Sequence, residues 1–244
     1  AHGDEGIAAL HRTITDIHAI APDVPVILDA KRGDIGNTNS GYVRMAFEWL
    51  GVDAITVSPY LGRVALQPFL DRVGKGIFVL CRTSNKDADE IQNLNVILTF
   101  SELAELVGDA DEANALNGRY GWSYPTGGYR LPLYQYLALR VSRHWNKNDN
   151  CGVVVGATCP DELKTVRQLV GDMPILIPGI GAQGGDLEKI IEAGKDSRGR
   201  GMIINSSRGI IFASSGPDFA EAARRETQRL HEAIQQCLST STPV

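Results

Sequence analysis

"VPVILDAKRGDIGNT", residues 24–38, is an apolar run of strand length that stops on three charges, Asp29, Lys31 and Asp34. A strand apolar on both faces suits a parallel sheet covered by helices. Five more such runs follow: 53–58 (DAITVS), 76–81 (GIFVLC), 152–157 (GVVVGA), 174–179 (PILIPG) and 201–206 (GMIINS). With residues 24–29 they make six predicted strands, rich in Val and Ile. Between them lie helical patterns: Ile7, Leu10, Ile14 and Ile17; then Val43, Ala46, Phe47 and Leu50; then Leu163, Val166 and Leu169, opened by Pro160 and Asp161. The alternation means an α/β fold. Polar residues recur where the apolar runs stop, which predicts a (βα)8 TIM barrel with its site at the carboxyl ends of the strands. A doubly wound sheet would accommodate the same six strands. Residues 85–130, polar and turn-rich, are expected to be a long excursion from a single domain spanning 1–244.

Composition narrows the function. The 244 residues are 43% hydrophobic and 22% charged, which suits one globular domain with a sizeable core. A net charge of −5 argues against a general nucleic-acid binder, which needs a basic face. Cys81, Cys151, Cys159 and Cys237 have neither CxxC pairing nor metal-ligand spacing to the histidines, so they are expected to be reduced thiols of a cytoplasmic protein. No apolar stretch reaches membrane-spanning length.

Asp29 and Lys31, two apart on a strand, point to the same side, and Asp34 follows the Arg32-Gly33 turn. A lysine between carboxylates stays protonated and oriented, which makes it a fixed proton donor. The plainer alternative is a surface ion pair with Asp34 capping a helix. A second constellation follows the last two predicted strands: "IPGIGAQGGD" (177–186), with four glycines around Gln183, and "INSSRGI" (204–210), with Arg208. Exposed backbone N–H groups and a planar guanidinium suit a phosphate, and these loops are a frequent phosphate site in barrels. Neither GxGxxG nor GxxxxGK[ST] is present, so dinucleotide and Walker-type sites have no support.

The ordered blocks "ILDAKRGDIGNT", "VSPYLG", "LCRTSN", "VVVGAT", "LIPGIGAQGGD" and "INSSRGI" resemble the orotidine 5'-phosphate decarboxylase family, specifically its longer, mainly bacterial type. The resemblance implies a (βα)8 barrel of which this chain supplies strands three to eight. It also implies decarboxylation of orotidine 5'-monophosphate to uridine 5'-monophosphate and CO2, the last step of de novo UMP biosynthesis, without cofactor or metal. Carried over, Lys31 protonates C6 of the pyrimidine, Asp29 positions it and Asp34 faces the departing carboxylate. Thr38 contacts the ribose, Ser84 (or its neighbour Thr83) reads the pyrimidine edge, and Gln183 with Arg208 grips the phosphate. A cytoplasmic homodimer with shared active sites is implied, with Asp34 and Thr38 reaching into the neighbour's site beside a helix bearing Tyr42, Phe47 and Trp49. The family's first two strands, with a ribose-binding aspartate and a second lysine, have no counterpart here. The chain is expected to begin inside the helix after the second strand, and alone to leave the barrel open and inactive. Two rival functions share some of these features: a metal-dependent aldolase of the hexulose-phosphate synthase type, and a non-catalytic nucleotide-binding remnant.

Overall fold

A computed structural model describes residues 2–120, 129–180 and 186–240. The chain divides into two compact units, residues 1–80 with 145–152, and residues 81–144 with 153–244.

In the first unit, α1 (Gly3–Ile20) precedes β1 (Ile27–Arg32), α2 (Gly36–Val43), β2 (Ala54–Val57), α3 (Gly62–Leu70) and the start of β3 (Gly76–Arg82). Helix α2 continues in π-helical turns through Arg44–Trp49. The strands run parallel, with Ala54 beside Gly76 and Val57 beside Val79. All four residues of β2 are buried, as a strand covered on both faces requires. The predicted stripe Val43, Ala46, Phe47 and Leu50 faces the core. The stripe of α1 differs: Ile14 is buried, whereas Ile7, Leu10 and Ile17 remain exposed. Ile7 and Leu10 instead help to line a groove of about 580 Å3 with Thr38, Tyr42, Met45 and Trp49.

The first strand lies three residues later than predicted, at 27–32 instead of 24–29. No residue of the run 24–29 is buried and Val24 is exposed, and the ladder begins only after Pro25, which has no N–H to donate. It then continues into the charged residues. Register shows what this does: Leu28 lies beside Ile55, but the next matched pair is Arg32 with Val57, so β1 carries two extra residues there.

In the second unit, β6 (Cys151–Val155), β7 (Ile175–Pro178) and β8 (Met202–Asn205) run parallel, Val153 beside Ile175 and Ile175 beside Met202. Helix α8 (Pro160–Val170) buries its predicted stripe, Leu163, Val166 and Leu169. It also supplies Arg167, whose buried guanidinium donates to the carbonyls of Gly171, Met173, Gly194 and Gly201. One cation thus ties the turns before β7 and β8, although burial pulls its pKa down.

The predicted excursion is not merely loop. It holds α4 (Asp89–Gln92), β4 (Asn95–Leu98), α5 (Phe100–Val107) and α6 (Ala110–Tyr120), and β4 pairs antiparallel with β5 (Tyr129–Pro132). Helix α5 starts on a capping box: Thr99 N–H donates to Glu102 Oε2 at 2.7 Å, and Thr99 Oγ1 accepts from Glu102 N–H at 3.2 Å. Helices α7 (Leu133–Arg140), α9 (Leu187–Gly194), α10 (Ser207–Ile211) and α11 (Phe219–Thr240) complete this unit.

Candidate active site

Lys31 occupies the irregular stretch of β1. Its backbone is left-handed, with φ 49°, a conformation that costs a side-chain-bearing residue free energy and persists only where surroundings hold it. What holds it is Thr56 on β2, whose hydroxyl oxygen accepts the Lys31 backbone N–H at 2.9 Å. The same hydroxyl donates to Asp29 Oδ1 at 2.8 Å, and the other oxygen of Asp29 accepts from Lys31 Nζ at 2.6 Å. Asp29 and Lys31 are therefore together, as their spacing predicts. Both side chains are about half exposed, so the pair itself adds little stability; its content is orientation.

The close of the strand is made possible by Gly33. A Cβ there would stand 2.7 Å from the carbonyl oxygen of Ser58, whose N–H donates to Arg32 O at 2.6 Å. Only a residue without a side chain lets β1 end so close to β2.

Asp34 does not join the pair. Its Oδ1 accepts the N–H of Ile35 at 2.7 Å, and its backbone is held by Asn39, which accepts from Asp34 N–H and donates to Asp34 O and Ala65 O. Within the chain, then, Lys31 has one carboxylate partner among the described residues, and the expected lysine between two carboxylates is not formed. Two residues past the strand, the chain has turned onto the Asn39 anchor, which takes Asp34 with it. Thr38 lies one residue before that anchor, on the wall of the groove.

In the second unit, the loop after β3 carries Thr83 and Ser84. Thr83 is fully engaged: its N–H donates to Gln92 Oε1 at 2.8 Å, and its hydroxyl accepts from Gln92 Nε2 and donates to Asn85 Oδ1. Ser84 has no side-chain hydrogen bond among the described residues, so of these two hydroxyls it is the one available to a ligand. Arg208, on α10, is exposed and makes no ion pair or hydrogen bond through its guanidinium among the described residues. Gln183 lies outside the described residues.

None of the four cysteines is in a disulfide, and burial pushes the thiols of Cys81 and Cys151 up to about 12, far from nucleophilic use. Among the described residues no three His, Cys, Asp or Glu side chains are grouped to hold a metal, and no helix is long and apolar enough to cross a membrane.

Thr56, Asn39 and Gln92 escaped sequence reading. Thr56 was the most visible of them, a hydroxyl inside an apolar strand run, but its partners lie 25 and 27 residues away.

Parallel strands alternating with helices, and a lysine–carboxylate pair at the carboxyl end of one strand, define an α/β protein of the (βα)8-barrel class. Residues 3–124 match the sequence profile of the "Orotidine 5'-phosphate decarboxylase / HUMPS family". The chain is 45% identical over 218 residues to an orotidine 5'-phosphate decarboxylase of Janthinobacterium sp. (strain Marseille), covering 89% of this chain and 69% of that protein. It is also 45% identical to one from Ralstonia nicotianae, covering 93% and 72%. The structure of Leishmania donovani OMP decarboxylase superposes with a TM-score of 0.72 at 36% identity, covering 97% of this chain and 76% of that one. The chain belongs to the orotidine 5'-phosphate decarboxylase / HUMPS family.

Proposed function

We propose that this protein decarboxylates orotidine 5'-monophosphate to uridine 5'-monophosphate and CO2, acting as a carbon–carbon lyase in pyrimidine biosynthesis. The observation that carries the reading is the Lys31–Asp29 pair, a 2.6 Å contact whose carboxylate is fixed on its far side by Thr56. The C6–carboxylate bond breaks, CO2 departs, and its electron pair stays on C6. Lys31 then delivers a proton from its ammonium to C6 and is recharged from water. A cation held in place before the charge develops needs no reorganisation when it does, which is the main source of electrostatic catalysis.

The remaining roles rest on what each side chain has free. Ser84 reads the pyrimidine edge, because Thr83 is committed to Gln92 and Asn85. Arg208 and Gln183 grip the phosphate, and Thr38 contacts the ribose. Binding energy from the phosphate, remote from C6, serves to hold the reacting carbon in place.

Asp34 faces the departing carboxylate in the site of a second copy of the chain. Its absence from its own Lys31 pair supports this, as do the neighbouring Ile35, 60% exposed, and Trp49, 49% exposed. Phe47, by contrast, belongs to the core. Cysteines outside disulfides suit a cytoplasmic protein.

The test is turnover by the full-length protein. Lys31→Ala should abolish decarboxylation while uridine 5'-monophosphate still binds, and EDTA should leave the unaltered protein active. Near-normal turnover by Lys31→Ala would remove Lys31 from the chemistry. Activity on a ribulose phosphate that EDTA abolishes would replace the reading with a metal-dependent aldolase.

A further inference from the structure

We infer that Thr56 is a positioning residue for proton transfer, whose hydroxyl sets the Asp29 carboxylate against Lys31. The inference deepens the proposed function and rests on Lys31 being the proton donor.

The argument starts from the two extra residues in β1. Between the pairs Leu28–Ile55 and Arg32–Val57 the ladder is interrupted, and the Lys31 N–H has left it. A backbone N–H that leaves its ladder needs another acceptor. Thr56 supplies the acceptor from a fully buried position, at 2.9 Å. A hydroxyl has one proton, and an oxygen that already receives an N–H must direct its own proton elsewhere. Asp29 Oδ1 stands in that direction at 2.8 Å. The hydroxyl therefore has one role in each direction: it retains the left-handed Lys31 backbone and it stops rotation of the Asp29 carboxylate. With Oδ1 held, Oδ2 is presented to Lys31 Nζ at 2.6 Å.

The half-exposed ion pair could not maintain this geometry alone, since exposed pairs between mobile side chains are worth little. Rigidity must come from a buried neighbour, and Thr56 is the buried residue that touches both members. Valine has almost the same shape and would fill the space, but it can neither accept from Lys31 nor donate to Asp29. Serine can do both.

The experiment compares Thr56→Val, Thr56→Ser and Lys31→Ala in the full-length protein, by steady-state kinetics and by thermal unfolding. Thr56→Val should lower kcat about ten- to a hundredfold with KM nearly unchanged, the scale of a misplaced catalytic group. Thr56→Ser, which keeps the hydroxyl, should restore kcat. If Thr56→Val does not fold, Thr56→Ala is measured against the same criteria. A folded Thr56→Val or Thr56→Ala protein with normal kcat, beside an inactive Lys31→Ala, overturns the inference and leaves the proposed function standing. A fall in Tm with kcat and KM unchanged, or a loss of kcat that Thr56→Ser does not restore, makes Thr56 merely structural and overturns it as well. Turnover by Lys31→Ala removes both.

Discussion

Substituting Gly156 by alanine tests whether the Ser84 loop is placed by the packing of β6. Gly156 immediately follows β6 and its N–H donates to Arg82 O at 2.7 Å, so the chain at Gly156 and the end of β3 are locked together there. A Cβ on Gly156 would stand 2.5 Å from Ser84 Cβ, 2.7 Å from its N and 2.9 Å from its Cα. Ordinary packing distance begins near 3.4 Å, so the Ser84 backbone would have to retreat by close to 1 Å. No rotamer change relieves this, because two of the three atoms are backbone. Even Ser84→Gly would leave the clash with the backbone of residue 84 in place. Overpacking of this kind costs about 1–3 kcal/mol, and for a chain of this size that lowers Tm by about 2–12 °C. The displaced hydroxyl should lose its hydrogen bond to the pyrimidine, raising KM for orotidine 5'-monophosphate about three- to tenfold. Thermal unfolding and steady-state kinetics on Gly156→Ala read the two effects. Unchanged Tm and KM would refute the reasoning, and a lower Tm with normal KM would show that Ser84 does not read the base.

Arg208→Ala should lower kcat/KM for the phosphorylated substrate about ten- to a hundredfold, as expected for a lost charge-assisted bond, and leave phosphate-free orotidine little affected; equal losses on both substrates would defeat the phosphate assignment. Burial pushes the Asp53 carboxyl up, but the Val26 N–H, His18 and Lys75 more than compensate, so its folded pKa lies below the ordinary 3.8. Its contribution to stability is therefore complete above that value and lost as pH falls through the folded pKa, and the stability gap between the unaltered protein and Asp53→Asn should close below about pH 4. Unfolding by denaturant at a series of pH values would show a constant gap if the carboxylate is irrelevant. Mixing inactive Lys31→Ala and Asp34→Ala proteins and allowing subunits to exchange should restore about a quarter of the sites if each site draws on two copies; no recovery, with exchange shown by mass, would place both residues in one copy's site.

The elements were legible because their signals are local. Val- and Ile-rich runs locate all six parallel strands to within three residues; β2, β3, β6 and β7 are largely buried on both faces, which leaves no room for alternation, whereas β1 and β8 carry the same runs although partly exposed. The elements within the excursion are not legible for the opposite reason. Its β4 is half exposed, and its partner β5 lies more than 30 residues away, so the pairing leaves no trace in either segment alone. The local signs of order there are helix caps, the Thr99–Glu102 capping box of α5 and Asp109, whose Oδ1 accepts the Glu112 N–H at the start of α6.

The candidate site divides along the same line. By itself the sequence determined that Asp29 and Lys31 share a side, that glycine occupies position 33, and that charge gathers where an apolar run ends, because each depends on neighbours a few residues apart. Only tertiary structure decided that β1 carries two extra residues, that Lys31 takes a left-handed backbone, and that Thr56 holds both. It decided too that Asn39, reaching Ala65 O across 26 residues, turns Asp34 away from the pair its spacing suggested. Hydrogen bonds of that span depend on which strand comes to lie beside which, and no local period carries that information.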